Sequence, residues 1–438
     1  MQSEHSRPHW LHWLALGLLV LSVGINYIDR GNLGVAASSI ERDLHFPPDK
    51  LGLLSTAFFL TYSLFAIISG KVLDHWNVNW VYAGAFLLWS ATTGLTGLAT
   101  SFSVFLALRA LLGIGESVAY PAYSKIIAST FPERLRGTAN AAIDAGSKVG
   151  PALGVSLCFK LIVWHSWRFM FTVIGGASLL WLIPWCLLAP KLTQHGVRKS
   201  SAWAPAYAEL VKKRALWGTI LGLFGGNYTW YLFLTWLPYY FEHERHYTKD
   251  RLAVVASLPF WSVALSSMLC GLLADALIRR GYRPGKVRQT FIASGLSICC
   301  FCMIPAFLVA QEWASVLLFV LACFAMGGFS SNHWALSQLL SGPEAAGKWT
   351  GFQNCCGNFA GVVAPYLSGL VLRETHSFVF SFIIACVVLL LGVLGYTLVV
   401  GDPVPLVWRE SPLSLHTNND SEIIASSAPI YKIDTSKE

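Results

Sequence analysis

Twelve runs of mostly apolar residues, each twenty or more long, divide this chain, and no other feature constrains its fold as much. A helix needs about 20 such residues to cross the roughly 30 Å hydrocarbon core of a bilayer. The runs fall at 11–38, 51–73, 79–99, 103–129, 138–163 and 168–190, then at 215–241, 251–278, 288–310, 313–341, 348–372 and 377–400. Only 12% of the 438 residues are charged, against about 25% in soluble domains. The mean hydropathy is +0.54. The chain therefore reads as an all-α polytopic membrane protein embedded in a lipid bilayer. The first run is too long for a signal h-region and has no clear small-x-small cleavage site, so it reads as a retained span.

The hydrophilic stretches set the organisation. Residues 1–190 hold six spans, 191–214 form the longest internal polar connection, 215–400 hold six more, and 401–438 form a polar, Ser-rich tail expected to be disordered. With both termini placed inside, nineteen Lys and Arg lie in inner segments and seven in outer loops, the bias expected of cytoplasmic termini and a cytoplasmic connection. This placement also explains the net charge of +8 without nucleic acid. "GKVLD" after the second span and "GLLAD" after the eighth form a weak repeat, consistent with two parallel six-span repeats. The ten cysteines show no metal-ligand spacing. No metal or cofactor is expected, and no soluble catalytic domain is present to make an enzyme.

With Lys71, Arg168, Arg251, Asp275, Arg288 and Lys348 at the run ends counted to the loops, few charges remain inside the spans: Asp29, Arg30, Arg109, Glu116, Lys125, Asp144, Lys148 and Lys160. A charge at the bilayer centre costs about 3 kcal/mol or more, so such residues are functional candidates. All eight fall in the first half; the second half offers neutral groups, among them Ser330, Ser331, Asn332, Gln353, Asn354 and Asn358, and the titratable His333. Counting from the expected span ends puts Arg30 and Arg109 at similar depth, with Glu116 two turns deeper. Protonating Asp29 and Glu116 makes the set more positive and frees the arginines for an anion. Arg suits that task, because its planar fork matches a carboxylate and stays charged. This is a physical basis for proton–anion symport, with Tyr27 one turn from Arg30 to orient the cargo. Asp29 and Arg30 also fit a structural ion pair, Asp144–Lys148 fits a local i,i+4 pair, and Lys125 and Lys160 can snorkel to the headgroups. His333 fits either a proton carrier or a packing residue.

"NYIDRGNL", "RALLGIGESVAYPAYSKIIASTFPERLRGTANA", "HSWRFMF", "LPYYF" and "GLLADALIRRG" together resemble the major facilitator superfamily, specifically its anion:cation symporters, over nearly the whole chain to about residue 400. The resemblance implies twelve transmembrane helices in two pseudo-symmetric six-helix bundles and proton-coupled uptake of a sugar acid such as a hexuronate, galactonate or glucarate. It implies a monomer in the bacterial inner membrane. By matching motif, Asp29 and Glu116 are the proton-coupling acids, and Tyr27, Arg30, Tyr62, Arg109, Ser147, Ser331, Asn354 and Asn358 bind substrate. Sodium coupling, or a dicarboxylate or aromatic-acid substrate, is the alternative within the same fold. Two places depart from the pattern: His75 and Asn79 stand where basic residues are expected, and Lys148 stands where a small or apolar residue is expected. A cavity-facing Lys148 favours a diacid; one paired with Asp144 changes little.

Overall fold

The computed structural model describes residues 10–192 and 205–408, so 193–204 of the 191–214 connection and 409–438 of the tail lie outside the described residues. Among the described residues there is no β-strand. The chain forms α1 (Trp10–Leu44), α2 (Pro48–His75), α3 (Val78–Thr96), α4 (Phe102–Thr130), α5 (Glu133–Trp164) and α6 (Trp167–Lys191). It continues with α7 (Arg214–His243), α8 (Lys249–Arg279), α9 (Pro284–Leu308), α10 (Glu312–Gly342), α11 (Glu344–Thr375) and α12 (Val379–Val399). Nine of these are long and apolar enough to cross a membrane; α2, α3 and α7 complete the twelve. Helix starts follow local chemistry. The Asn77, Ser101 and Ser166 side chains accept backbone N–H groups at the starts of α3, α4 and α6. Pro48 opens α2, where its missing N–H is no loss.

The helices assemble into the two six-helix bundles of the major facilitator fold. In the first, α1 packs on α5, α2 on α4, and α3 on α4 and α6; in the second, α9 packs on α10, and α7 on α11 and α12. The bundles meet along α1–α7, α2–α11 and α5–α8. These pairs exchange when the halves are interchanged, as pseudo-twofold symmetry requires.

Contacts between the bundles concentrate at the end that carries the α1–α2 loop. There Gly34 lies against the backbone of α7: a Cβ at this position would stand 2.5 Å from the Leu234 carbonyl oxygen and 2.6 Å from that of Thr235. Polar contacts surround that approach. Lys249 Nζ donates to Ser39 Oγ at 2.6 Å, Tyr239 donates to Glu41 Oε2 at 2.6 Å, and Arg373 reaches Asp49 at 2.9 Å. Ser38 donates to Glu242, which also faces Arg42 at 3.8 Å.

At the opposite end the first residues of the tail are ordered against the second bundle. The backbone N–H of Leu406 donates to the Leu340 carbonyl, and the Trp408 indole N–H donates to the Ser341 carbonyl, both at 2.9 Å. Those carbonyls belong to the last turn of α10, where Gly342 turns the chain through φ +67°. Trp408 is buried, although the composition of 401–438 reads as a solvated tail.

Closure at the α1–α2 end depends on Gly34 lacking a side chain. Gly34→Val should hold that end apart. In a variant with no other reactive cysteine, spin labels at His45→Cys and His376→Cys, exposed sites on opposite bundles, should report a longer mean separation than with Gly34 intact. An unchanged distance would show that closure tolerates the added volume.

Candidate functional site

A cavity of about 970 Å³ lies between the bundles. It runs from Arg30 and Tyr62 to Tyr207 and Gly347, near the end where the 191–214 connection leaves the helices. Its first-bundle wall carries Tyr27, Arg30, Tyr62, Tyr120 and Lys148; its second-bundle wall carries Asn227, Tyr231, His333, Asn354 and Asn358. Of the residues selected from sequence, Tyr27, Arg30, Tyr62, Asn354 and Asn358 border it together.

Arg30 sits with its back to the protein and its face to the cavity. Its side chain is only 2% exposed, and its Nε donates to Glu116 Oε2 at 2.9 Å. Its guanidinium carbon stands 4.6 Å from the centre of the Tyr62 ring, 4.9 Å from Tyr27 and 5.5 Å from Phe58. Three ring faces thus shelter the cation, each such contact worth roughly 0.5–2 kcal/mol. Glu116 Oε1 and Arg30 Nη2 make no hydrogen bond among the described residues. The pair is joined by one bond where two are available, which leaves donor capacity on Arg30 for another acceptor.

An apolar run ending at residue 38 would put Arg109 level with Arg30 and Glu116 deeper; the structure does not. The helix α1 continues to Leu44, past the expected 38, so Arg30 lies fourteen residues from its end, as Glu116 lies fourteen from the start of α4. In antiparallel neighbours this makes Glu116, not Arg109, the partner of Arg30. Arg109 is buried away from the cavity lining. Its Nη2 donates to Asn32 Oδ1 at 2.9 Å, and Asn32 Nδ2 approaches Asp29 Oδ1 at 3.4 Å. Asn32 therefore bridges the second cation and the second acid. Asp29 is fully buried, with Oδ2 unpartnered among the described residues. Sequence reading passed over Asn32, although a carboxamide one turn beyond Asp29 on a buried helix face was a usable signal.

Ser147 and Ser331 do not border the cavity. Each turns its hydroxyl back to its own helix, Ser147 to the Asp144 carbonyl at 2.7 Å and Ser331 to the Gly327 carbonyl at 2.8 Å. Across the cavity, Asn358 accepts from the Tyr231 hydroxyl and donates to Asn354 Oδ1 at 2.7 Å. Asn227 Nδ2 donates to the Gly357 carbonyl at 3.2 Å. Tyr231 and Asn227 were also missed; a lone carboxamide in the apolar run "GGNYTWYLF" was the signal. Lys148 does both things allowed for it: it borders the cavity and faces Asp144 at 3.6 Å. His333 borders the cavity too, with Nδ1 at 3.1 Å from the Phe329 carbonyl and its ring stacked on Phe329. The ten cysteines are free thiols, and among the described residues no cluster of His, Cys, Asp and Glu has the geometry of a metal site.

The family model for the Major Facilitator Superfamily matches residues 19–365. The chain belongs to that superfamily. It is a transporter and not an enzyme. It is 30% identical over 422 residues to a D-galactonate transporter of Escherichia coli O6:H1, covering 91% of this chain and 97% of that one. It is 25% identical over 377 residues to a hexuronate transporter of Bacillus subtilis strain 168, covering 84% and 89%. Among solved structures, a bacterial homologue of the human lysosomal transporter Spinster, inward-facing and occupied, superposes with a TM-score of 0.76 at 18% identity, over 91% of this chain and 98% of that one.

The buried pair makes a thermodynamic prediction. Removing one partner strands the other charge, at roughly 3–5 kcal/mol, whereas replacing both with apolar residues is often close to neutral. Glu116→Leu should lower the melting temperature in detergent strongly, and adding Arg30→Met should recover most of the loss. Equal destabilisation by the single and double variants would show that the two charges are not coupled.

Proposed function

We propose that this transporter carries a small organic anion of the sugar-acid class into the cell, coupled to protons, by alternating access of the central cavity. The observation that carries the reading is the placement of Arg30: Glu116 holds it from behind, and the cavity lies in front. A substrate carboxylate entering the cavity competes with Glu116 for the same guanidinium. With Asp29 and Glu116 ionised, the four buried groups sum to zero charge; with both protonated they sum to +2. Proton uptake and anion binding then assist one another, because each removes what opposes the other.

Tyr27, Tyr62 and Arg30 hold the carboxylate end, and Asn354 and Asn358, with Asn227 and Tyr231, read hydroxyls from the second bundle. Arg109 acts through Asn32 on Asp29 rather than on the ligand. Ser147 and Ser331, with hydroxyls committed to backbone carbonyls, are left out of the ligand set. The names of the D-galactonate and hexuronate relatives support the substrate class. With both termini cytoplasmic in a bacterial inner membrane, the closed α1–α2 end faces outward and the cavity opens inward. One chain contains the complete cavity, which supports a monomer as the working unit.

Purified protein in liposomes provides the test. An imposed pH gradient, acidic outside, should drive accumulation of labelled galactonate or a hexuronate. Asp29→Asn should abolish that accumulation while retaining exchange of labelled for unlabelled substrate, since exchange needs no net proton movement. Accumulation driven by a sodium gradient and indifferent to pH would overturn proton coupling; stabilisation by neutral sugars but no acid would overturn the anion reading.

A further inference from the structure

Lys148 is left unexplained by a site built around one carboxylate. Among the residues that border the cavity, Arg30 and Lys148 are the two Lys or Arg side chains and Asp144 is the one acid. The Lys148 side chain is 16% exposed, whereas its neighbour Asp144 is 48% exposed and 3.6 Å away, beyond hydrogen-bonding distance. Among the described residues Lys148 has no other ion-pair partner. A half-solvated carboxylate at that range contributes little. The ammonium is therefore more buried than its counter-ion and faces a space large enough for a ligand.

Its height relative to Arg30 follows from how α1 and α5 pack. Gly146 lies against Val20 and Val23, Gly150 against Gly24 and Tyr27, and Gly154 against Ile28, so the two helices run parallel and in step. Lys148 is thereby level with about residue 24 of α1. Arg30 stands six or so residues farther along, roughly 10 Å at 1.5 Å per residue. Side chains on both helices lean toward their N-termini, which shifts the two cations the same way and preserves the spacing. An extended six-carbon chain separates its end carboxyl carbons by roughly 6 Å, given bonds of about 1.5 Å. Charge-assisted hydrogen bonds of about 2.8 Å at each end bring the reach to roughly 12 Å. Between the two levels lie Tyr27 and Tyr120, whose hydroxyls are 3.2 Å apart. A polyol chain stretched from one cation to the other passes these hydroxyls.

We propose that Lys148 is a second anion-binding group, and that the substrate is a dicarboxylate of about six carbons held at one end by Arg30 and at the other by Lys148. This rests on the sugar-acid reading and narrows it from sugar acids in general to diacids. On binding, the far carboxylate replaces Asp144 as the partner of Lys148. Asp144 is the more exposed of the two and turns to solvent at little cost.

The test compares the affinities of D-glucarate and D-gluconate, the same carbon chain with two carboxylates or one, for purified protein by calorimetry or thermal stabilisation. The unaltered protein should favour the diacid at least tenfold. Lys148→Gln should bring the ratio of the two affinities close to one, and Lys148→Arg should keep it. A purely structural lysine would change both affinities together and leave their ratio alone. Asp144→Asn removes the competing carboxylate and should raise the ratio, which decides the matter should Lys148→Gln not fold. If both acids bind with a ratio near one, or with a ratio insensitive to Lys148→Gln, the second anion site falls while the sugar-acid reading stands. If neither acid binds, the sugar-acid reading falls and the inference with it.

Discussion

The cost of keeping a guanidinium out of water organises this protein. Arg30 is an almost fully buried cation in the middle of a membrane-spanning helix, and its surroundings are arranged to hold it there. Glu116 supplies the opposite charge, three aromatic rings supply their negative faces, and the cavity supplies the one open side. Glu116 must then come to the same height on a neighbouring antiparallel helix, which ties the register of α4 to that of α1. Arg109 sits two turns from Glu116 on α4, with a carboxamide as its direct partner. The arrangement is tense by design: a single hydrogen bond joins Arg30 to Glu116, and atoms on both sides still have capacity to bond. That spare capacity is what a competing acceptor at Arg30 would use.

The two bundles divide the work unequally. Every buried charge at the core of the site belongs to the first, while the second presents carboxamides and phenols braced by one another, as in the Tyr231–Asn358–Asn354 chain. Neutral groups of this kind make directional bonds without the desolvation cost of ions. One bundle therefore carries the electrostatics and the other the shape, although both share one backbone plan. The bundles are joined at the α1–α2 end by close backbone approach and by ion pairs.

Much of this was legible in the sequence, and the reasons are particular. Span positions were readable because a bilayer imposes a length, and observed helix ends fall within a few residues of the apolar boundaries. Asp29, Arg30 and Glu116 were visible because ionised groups in apolar runs are rare. Pairing was less legible. It depends on where helices end beyond their apolar parts, and six extra polar-flanked residues on α1 changed the partner of Arg30 from an expected level with Arg109 to a direct bond with Glu116. Ser147 and Ser331 illustrate another limit. A hydroxyl in a helix can always bond its own backbone, and composition does not say which way it turns. Asn227 was marked by its carboxamide in an apolar run, whereas Tyr231, one of fifteen tyrosines, became meaningful once the opposite wall was in place.

The strap formed by residues 401–408 alters where this protein ends in a practical sense. Leu406 and Trp408 donate hydrogen bonds to carbonyls in the final turn of α10, so a distant stretch of chain is pinned to the end of that helix. A gene trimmed after the last apolar residue of α12 would encode every membrane span and still lose the two hydrogen bonds that tie the strap to the α10–α11 elbow. A truncation that keeps these bonds therefore ends no earlier than Trp408. An attachment made at that point, whether a purification handle or a reporter, is mounted on the joint between two helices and not on a free end.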